Sequence, residues 1–407
     1  MTPADLSVVV VSAGRPEALH RCLLGLSQLR HAGIEVVVVA DGAGQQAVQA
    51  FAGRIKLLSQ DIPNISAARN AGIAAAAGQI LAFIDDDAVP EPTWADAVLE
   101  AFSDAELAAV TGPVLGRNGI SMQWGPIAVN GLGKDLKIDP NQPIRDGYMR
   151  KLQGTNMAFR RDVFERLGGF DEAMHFYLDD TDMALRVGRA GLRTAWVAGA
   201  VVHHGFQASA RRTEDRVPLS LFDIGASTSV FLSKHAEGAE ISAVVRDLEA
   251  AQSSRLLALA KRKKLNAETM RKLMESLRDG LLDGQERASS TPIPSHASSA
   301  FVPFVRVDPP SPTVLSGRPF QRMGLHREAE RLVSNGQPVS LFVFEPTPRK
   351  HKIQFTNGGW WEQYGGLYGP TDRGEARFQM HSFRGRLDRE VRRISATRGL
   401  LPDGDTN

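Results

Sequence analysis

Along the first part of the chain, short apolar runs alternate with stretches whose apolar positions recur every three or four residues. Leu6 to Val11 is a β-branched run closed by the loop Ser12-Ala13-Gly14-Arg15-Pro16, and Glu17 to Leu29 then shows helical spacing. Ile34 to Ala40 is a second run, ending at Asp41-Gly42. The alanine-rich segment Ala67 to Ala77 predicts a helix stopped by Gly78, and Gln79 to Ile84 a further strand. Strands alternating with helices imply parallel pairing and the α/β class. In open sheets of that class ligands collect at the carboxyl ends of strands, where Asp41 and the triplet Asp85-Asp86-Asp87 fall.

Between Gly112 and Arg150 the pattern is irregular and rich in Gly, Pro and Asn, as expected of a stretch that lines a substrate site. A strand-like segment resumes at Gly154 to Phe159, and Thr194 to Ala198 reads as another strand, which makes Trp196 a core residue. Asp179-Asp180-Thr181-Asp182 precedes Met183-Ala184-Leu185-Arg186 and reads as a helix start. Free amides there favour acids, so capping, or a surface pair between Asp182 and Arg186, competes with a chemical role. Residues 237–287 are helical by periodicity. Ala288 to Pro312, crowded with Ser and Pro, predicts a linker. Beyond it the pattern gives a helix at Leu325 to Ser334 and strands at Val339 to Glu345 and Lys352 to Phe355. The expected division is an α/β domain over 1–236, a helical extension over 237–287, a linker over 288–312 and a small α+β accessory region over 313–407.

The 407 residues exceed one ordinary domain, and a hydrophobic content of 43% is ample for a core. A formal charge of +2 supplies no global basic field, so nucleic acid is not an expected partner. The single cysteine, Cys22, lies in an amphipathic helix pattern and fits a reducing compartment. No window approaches the roughly 18 apolar residues of a membrane span, and Val8 to Val11 lacks the flank and length of a signal peptide. The expectation is a cytoplasmic protein.

Three adjacent carboxylates repel one another, and a chain that presents them usually neutralises them with a hard divalent cation, often carrying phosphate. An ordinary acidic loop is the alternative for that triplet alone. Taken in order, however, several segments form a set: residues 10 to 16, Asp41, Ala68-Arg69-Asn70-Ala71-Gly72, the acidic triplet, Gly154-Thr155-Asn156, Gly168-Gly169-Phe170-Asp171-Glu172, Asp179 to Asp182 and His203-His204-Gly205. From about Leu6 to Ser209 that set resembles glycosyltransferase family 2, inverting nucleotide-sugar-dependent enzymes with the GT-A fold.

The resemblance implies a donor site in which Asp41 contacts the nucleobase and Asp85 the ribose, with Ser12, Arg15, Arg69 and Asp86 alongside. It makes Asp87 a ligand of Mn²⁺ or Mg²⁺, with His203 completing the shell and His204 the alternate. It implies that Asp180 is the catalytic base and that Asp179 assists and binds acceptor together with Gly154, Thr155, Asn156 and Asp171. The expected reaction is transfer from a UDP-, dTDP- or GDP-linked sugar to a hydroxyl of a glycan or lipid-linked oligosaccharide in bacterial surface polysaccharide biosynthesis. A retaining GT-A enzyme, a nucleotidyltransferase and an inactive nucleotide- or glycan-binding scaffold are the rivals.

Outside the resembling stretch, Lys261-Arg262-Lys263-Lys264 reads either as a solvated face or as a peripheral contact with the inner face of a membrane. Gly358-Gly359-Trp360-Trp361-Glu362-Gln363-Tyr364-Gly365-Gly366 reads either as a stacking platform or as a β-rich packing motif.

Overall fold

The computed structural model describes residues 5–60, 63–205, 211–213, 215, 217–236, 238–294, 300–304 and 310–400; the last residues of the stretch that ends at Ser209 lie outside it. A central sheet of seven strands runs in the order Arg193–Trp196, Leu107–Thr111, Met157–Arg160, Ile80–Asp85, Leu6–Ser12, Ile34–Ala40 and Lys56–Ser59. All pairs are parallel except those of Met157–Arg160, which opposes both neighbours. This is the expected α/β architecture, a mostly parallel sheet between helices. The register fixes where its site lies: Val11 stands beside Asp85, and Ser12 beside Ala40, so three parallel strands deliver Ser12, Asp41 and Asp85 at one level.

Helices cover both faces, as continuous apolar strands require. Pro16–Leu26 packs Leu19, Cys22, Leu23 and Leu26 on one face; Ile65–Ala75 lays Ile73 against Val9 and Val37 on the other. The second helix starts two residues ahead of its expected Ala67 because the Asn64 side chain accepts from the Ala67 amide and caps it. The irregular stretch condenses into short strands of two small sheets, one of which pairs Val202–His204 with Ala88–Pro90 and Val114–Leu115.

Phe222–His235, the last helix before the extension, packs on Val129, Met174 and Leu185 of the α/β domain and crosses Ala267–Glu286 of the extension backbone to backbone at Gly225, Gly280 and Gly284. Lys261 to Lys264 form the turn after Gly238–Lys261, with Lys264 paired to Asp215. No helix among the described residues is long and apolar enough to cross a membrane.

The Ser- and Pro-rich stretch differs from a free tether. Its described parts lie along the α/β domain: Ser289 and Ser290 donate to Asp171, the Pro292 carbonyl accepts from the Gly169 amide at 2.7 Å, and the Val302 amide donates to Glu35. Phe304 is fully buried beside Phe51, beneath the Arg54 guanidinium. Low complexity conceals these few anchoring residues.

The C-terminal region is a four-stranded sheet in the order Thr313–Gly317, Val339–Glu345, Trp361–Gly366 and Lys352–Phe355, with only the last strand antiparallel. Arg322–Ser334 packs on one face and Phe383–Arg398 on the other. Phe383–Arg398 escapes the apolar periodicity because arginines dominate it. The glycine-aromatic patch is a strand whose Trp361 is 2% exposed, so it packs and offers no platform.

Substituting Gly280→Ala drives a methyl into the Phe222 carbonyl and is expected to destabilise by about 1–3 kcal/mol. Gly324→Ala meets nothing within 4 Å on an exposed helix and is expected to stabilise by roughly 0.5–1 kcal/mol. Urea unfolding midpoints of the two variants check both signs.

Candidate active site

The strand Ile80–Asp85 runs out into a cleft of about 590 Å³ lined by the loop Ser12 to Arg15, Asp41, Asp85, Asp87, His204 and Arg212. The three consecutive aspartates have three different fates. Asp86 points inward and is fully buried; it accepts from the Ser12 hydroxyl at 2.6 Å and from Arg15 Nε at 3.0 Å. Burial pushes its carboxyl up to about 7, against the pull of the Arg15 guanidinium. Asp86 therefore fastens the Ser12 to Arg15 loop and does not line the cleft, contrary to its expected place at the donor.

Asp85 and Asp87 face the cleft. His204 Nε2 lies 3.1 Å from Asp87 Oδ1, and donor atoms of Asp85, Asp87 and His204 all fall within 4.8 Å of one another. Two carboxylates and an imidazole converging from separate strands suit Mn²⁺ or Mg²⁺, so the residues fit a divalent cation. Arg15 stands 3.2 Å and Arg212 3.9 Å from Asp87. His203 is placed on the opposite side, since adjacent strand residues alternate faces. Its Nε2 meets Glu91 at 2.7 Å, so His204 and not His203 faces the two carboxylates of the cleft. Spacing along the chain does not separate neighbours; strand parity does.

At the other side of the cleft, Asp41 accepts from the Gly14 amide at 2.6 Å and, as the cap of Gly42–Ala47, from the Gly44 amide at 2.8 Å. The turn at Gly154 and Thr155 joins the acidic clusters. The Thr155 hydroxyl donates to Asp85, and the Gly154 amide donates to Asp180 Oδ2 at 2.8 Å. A side chain at Gly154 would meet Arg69 at 2.8 Å. Asn156 is spent on structure: it accepts from Trp94 Nε1 and donates to the Pro113 and Ala200 carbonyls. Asp171 is likewise fully buried, and Lys234, Ser289 and the Ser290 amide saturate it. Burial would raise its pKa, yet those partners hold it below the usual range. Neither Asn156 nor Asp171 is available to an acceptor, so both expectations are corrected.

The helix Asp179–Arg189 follows Tyr177 and Leu178, whose φ angles of 78° and 66° are left-handed and cost about 1–3 kcal/mol each. That turn sets the two acids apart. Asp179 is buried in a salt bridge with Arg69; burial pushes it up to about 6 while the guanidinium opposes the rise. Arg69 also lies 3.6 Å from Asp85, so one guanidinium links both clusters. Asp180 is only half-buried, and its second oxygen accepts from Thr181. Asp182 is buried with His235, Arg186 and Lys234, which overcome desolvation and hold it well below the ordinary carboxylate range; its role is structural.

Three contributions escape a reading of the sequence. Arg211 and Arg212 line the cleft, and a dibasic pair shortly after the histidines is the signal that was there to find. Trp124 stacks near His204 at 5.6 Å between ring centres. Behind the site, buried Glu91 joins His203 to Arg398, which bonds it at 2.9 and 3.2 Å and lies 4.4 Å over the Trp361 ring. His203 also stacks on Trp361 at 4.6 Å. The C-terminal region is thus locked to the strand that carries His204. Burial alone would raise Glu91, but Arg398 and His203 hold it at about 2.

Residues 7–168 match the family profile described as Glycosyl transferase family 2. The chain is 28% identical over 232 residues to the O-antigen biosynthesis protein RfbC of Myxococcus xanthus, covering 52% of this chain and 18% of that protein. It is 27% identical over 217 residues to the pre-mycofactocin glycosyltransferase of Mycobacterium tuberculosis, covering 51% of this chain and 44% of that one. Against the N-acetylglucosaminyl-diphospho-decaprenol L-rhamnosyltransferase of the same organism it is 27% identical over 243 residues, covering 51% of this chain and 78% of the relative. The chain therefore spans less than half the length of the first two relatives.

A carboxylate whose folded pKa lies below its unfolded value stabilises the fold above the unfolded value and loses that contribution as pH falls toward the folded one. For Glu91 the window runs from the ordinary value of 4.5 down to about 2. Acid titration followed by tryptophan fluorescence is expected to report release of Trp361 in that window. In Glu91→Gln the transition at that site is expected to vanish and docking to be weaker at neutral pH.

Proposed function

We propose that the chain is a family 2 glycosyltransferase through the domain in its first half, and that it transfers a sugar from a nucleoside diphosphate donor to a hydroxyl of a glycan or lipid-linked oligosaccharide, with inversion. The observation that carries this reading is the convergence of Asp85, Asp87 and His204 in the cleft that also holds Asp41. Asp85, Asp87 and His204 would hold the divalent cation, which supplies Lewis-acid neutralisation of the departing diphosphate. Asp41 suits a nucleobase imino or amino donor, and the guanidinium groups of Arg15 and Arg212 beside Asp87 would suit the donor's phosphate oxygens.

Asp180 takes the proton of the acceptor hydroxyl as that oxygen bonds to the anomeric carbon and the bond from carbon to diphosphate breaks. The contrast between the two neighbouring acids favours it. Asp179 is buried and tied to Arg69, whereas Asp180 is half-buried and oriented by the Gly154 amide. Arg69 and Thr155 then act as the link that keeps the base and the acidic turn in one frame. The similarity to O-antigen and decaprenyl-diphosphate-linked systems supports surface polysaccharide assembly as the setting. The interior of the cytoplasm, where nucleotide sugars are available, is the compartment we assign.

Purified protein with Mn²⁺, a panel of nucleotide sugars and glycolipid acceptors tests the reading through nucleoside diphosphate release. Asp180→Asn is expected to lower turnover by about 10²–10⁴-fold while donor binding persists. Asp87→Ala and His204→Ala are expected to lose metal-dependent donor binding, and His203→Gln to retain it. Pyrophosphate release in place of nucleoside diphosphate, or a retained anomeric configuration in the product, contradicts the proposal.

A further inference from the structure

The C-terminal region has features that neither its packing nor the proposed reaction uses. Residues 313–400 carry 15 arginines and lysines against 8 acids, a net +7 where the whole chain is +2. The same region presents the three most exposed large apolar side chains among the described residues: Phe320 at 85%, Met380 at 80% and Met323 at 71%, with Phe378 at 55%. Solitary exposed apolar residues are ordinary; four in one small region are not.

The topology gathers them. Phe320 and Met323 follow the strand Thr313–Gly317, and Phe378 and Met380 follow Trp361–Gly366, so both pairs lie beyond the carboxyl ends of parallel strands. One contact joins the two segments, the Arg318 guanidinium lying 4.7 Å over the Phe383 ring, and within the second segment Phe378 stacks on Tyr368 at 5.4 Å. The amino ends of the same strands face the α/β domain, since Arg398 binds Ser340 and Glu91 and Trp361 stacks on His203. A strand of this length spans roughly 20 Å. The apolar tips therefore stand at the end of the sheet remote from the domain, among exposed Arg349, Lys350, Arg373, Arg377 and Arg384.

We propose that this end of the C-terminal sheet docks on a bilayer containing anionic phospholipid. Phe320, Met323, Phe378 and Met380 enter the headgroup and acyl boundary while the surrounding arginines pair with lipid phosphates. Apolar tips at a helix start and on a loop, with cations around them, complement a fluid anionic interface. The Lys261 to Lys264 turn has less of this combination: Lys264 is paired to Asp215, neighbouring Leu256 and Leu265 belong to the core between the helices, and Leu257 is 46% exposed. The inference does not depend on the proposed sugar transfer.

Co-sedimentation of the full chain with vesicles of phosphatidylcholine, with and without phosphatidylglycerol, tests it. Binding is expected only with phosphatidylglycerol present. Phe320→Ser/Met380→Ser is expected to weaken it at least about tenfold, and Arg373→Ser/Arg377→Ser roughly fivefold per residue. The unfolding midpoints and activity on a soluble acceptor should be unchanged. Absence of binding to anionic vesicles overturns the proposal. So does loss of binding in Lys261→Ser/Lys264→Ser alone. A change in the oligomeric state of Phe320→Ser/Met380→Ser, with vesicle binding intact, overturns it in favour of self-association.

Discussion

Mutual repulsion among three carboxylates at the end of one strand is the constraint around which the cleft is arranged. Asp86 is removed from the group by burial against Ser12 and Arg15, which fixes the loop that forms one wall. Asp85 is shared between Thr155 and Arg69, which ties the turn at Gly154 and the helix at Asp179 to the same point. Asp87 is left facing His204, Arg15 and Arg212. The neutralising partners come from several distant parts of the chain, so balancing the acidic turn also assembles the site.

Much of the α/β frame is legible in the sequence because each strand is a continuous apolar run and each helix keeps its period. The acidic turn is legible for a different reason: charge that dense needs compensation wherever it folds. What escapes is the direction of individual side chains. His203 and His204 are indistinguishable until Val202–His204 pairs with Ala88–Pro90 and fixes which face each one takes. Asn156 and Asp171 occupy motif positions, yet whether a polar group faces solvent or fills a wall depends on distant partners such as Trp94 and Ser290.

The same long-range dependence explains the two regions whose local signal misleads. Ser and Pro between 288 and 312 mark an absence of regular structure, which is correct, but not an absence of contact. Glu35 and Asp171, both inside the α/β domain, receive backbone amides from that stretch. The arginine-rich helix Phe383–Arg398 hides its inward face, because buried Arg386 and Arg398 answer Glu390 and Glu91 where apolar side chains would ordinarily sit. Buried ion pairs of this kind are weak sources of stability but leave few alternative packings.

The bond between Arg398 and Glu91 spans 307 residues of sequence, while the parallel strands at the other edge of the sheet pair with near neighbours in the chain. Local pairings form sooner than distant ones. During synthesis the strand bearing His204 therefore emerges with Glu91 still lacking its guanidinium, and the buried cluster behind it closes only after Arg398 has left the ribosome. Closure behind the cleft waits for the helix Phe383–Arg398, and a chain cut short before Arg398 leaves Glu91 without its guanidinium.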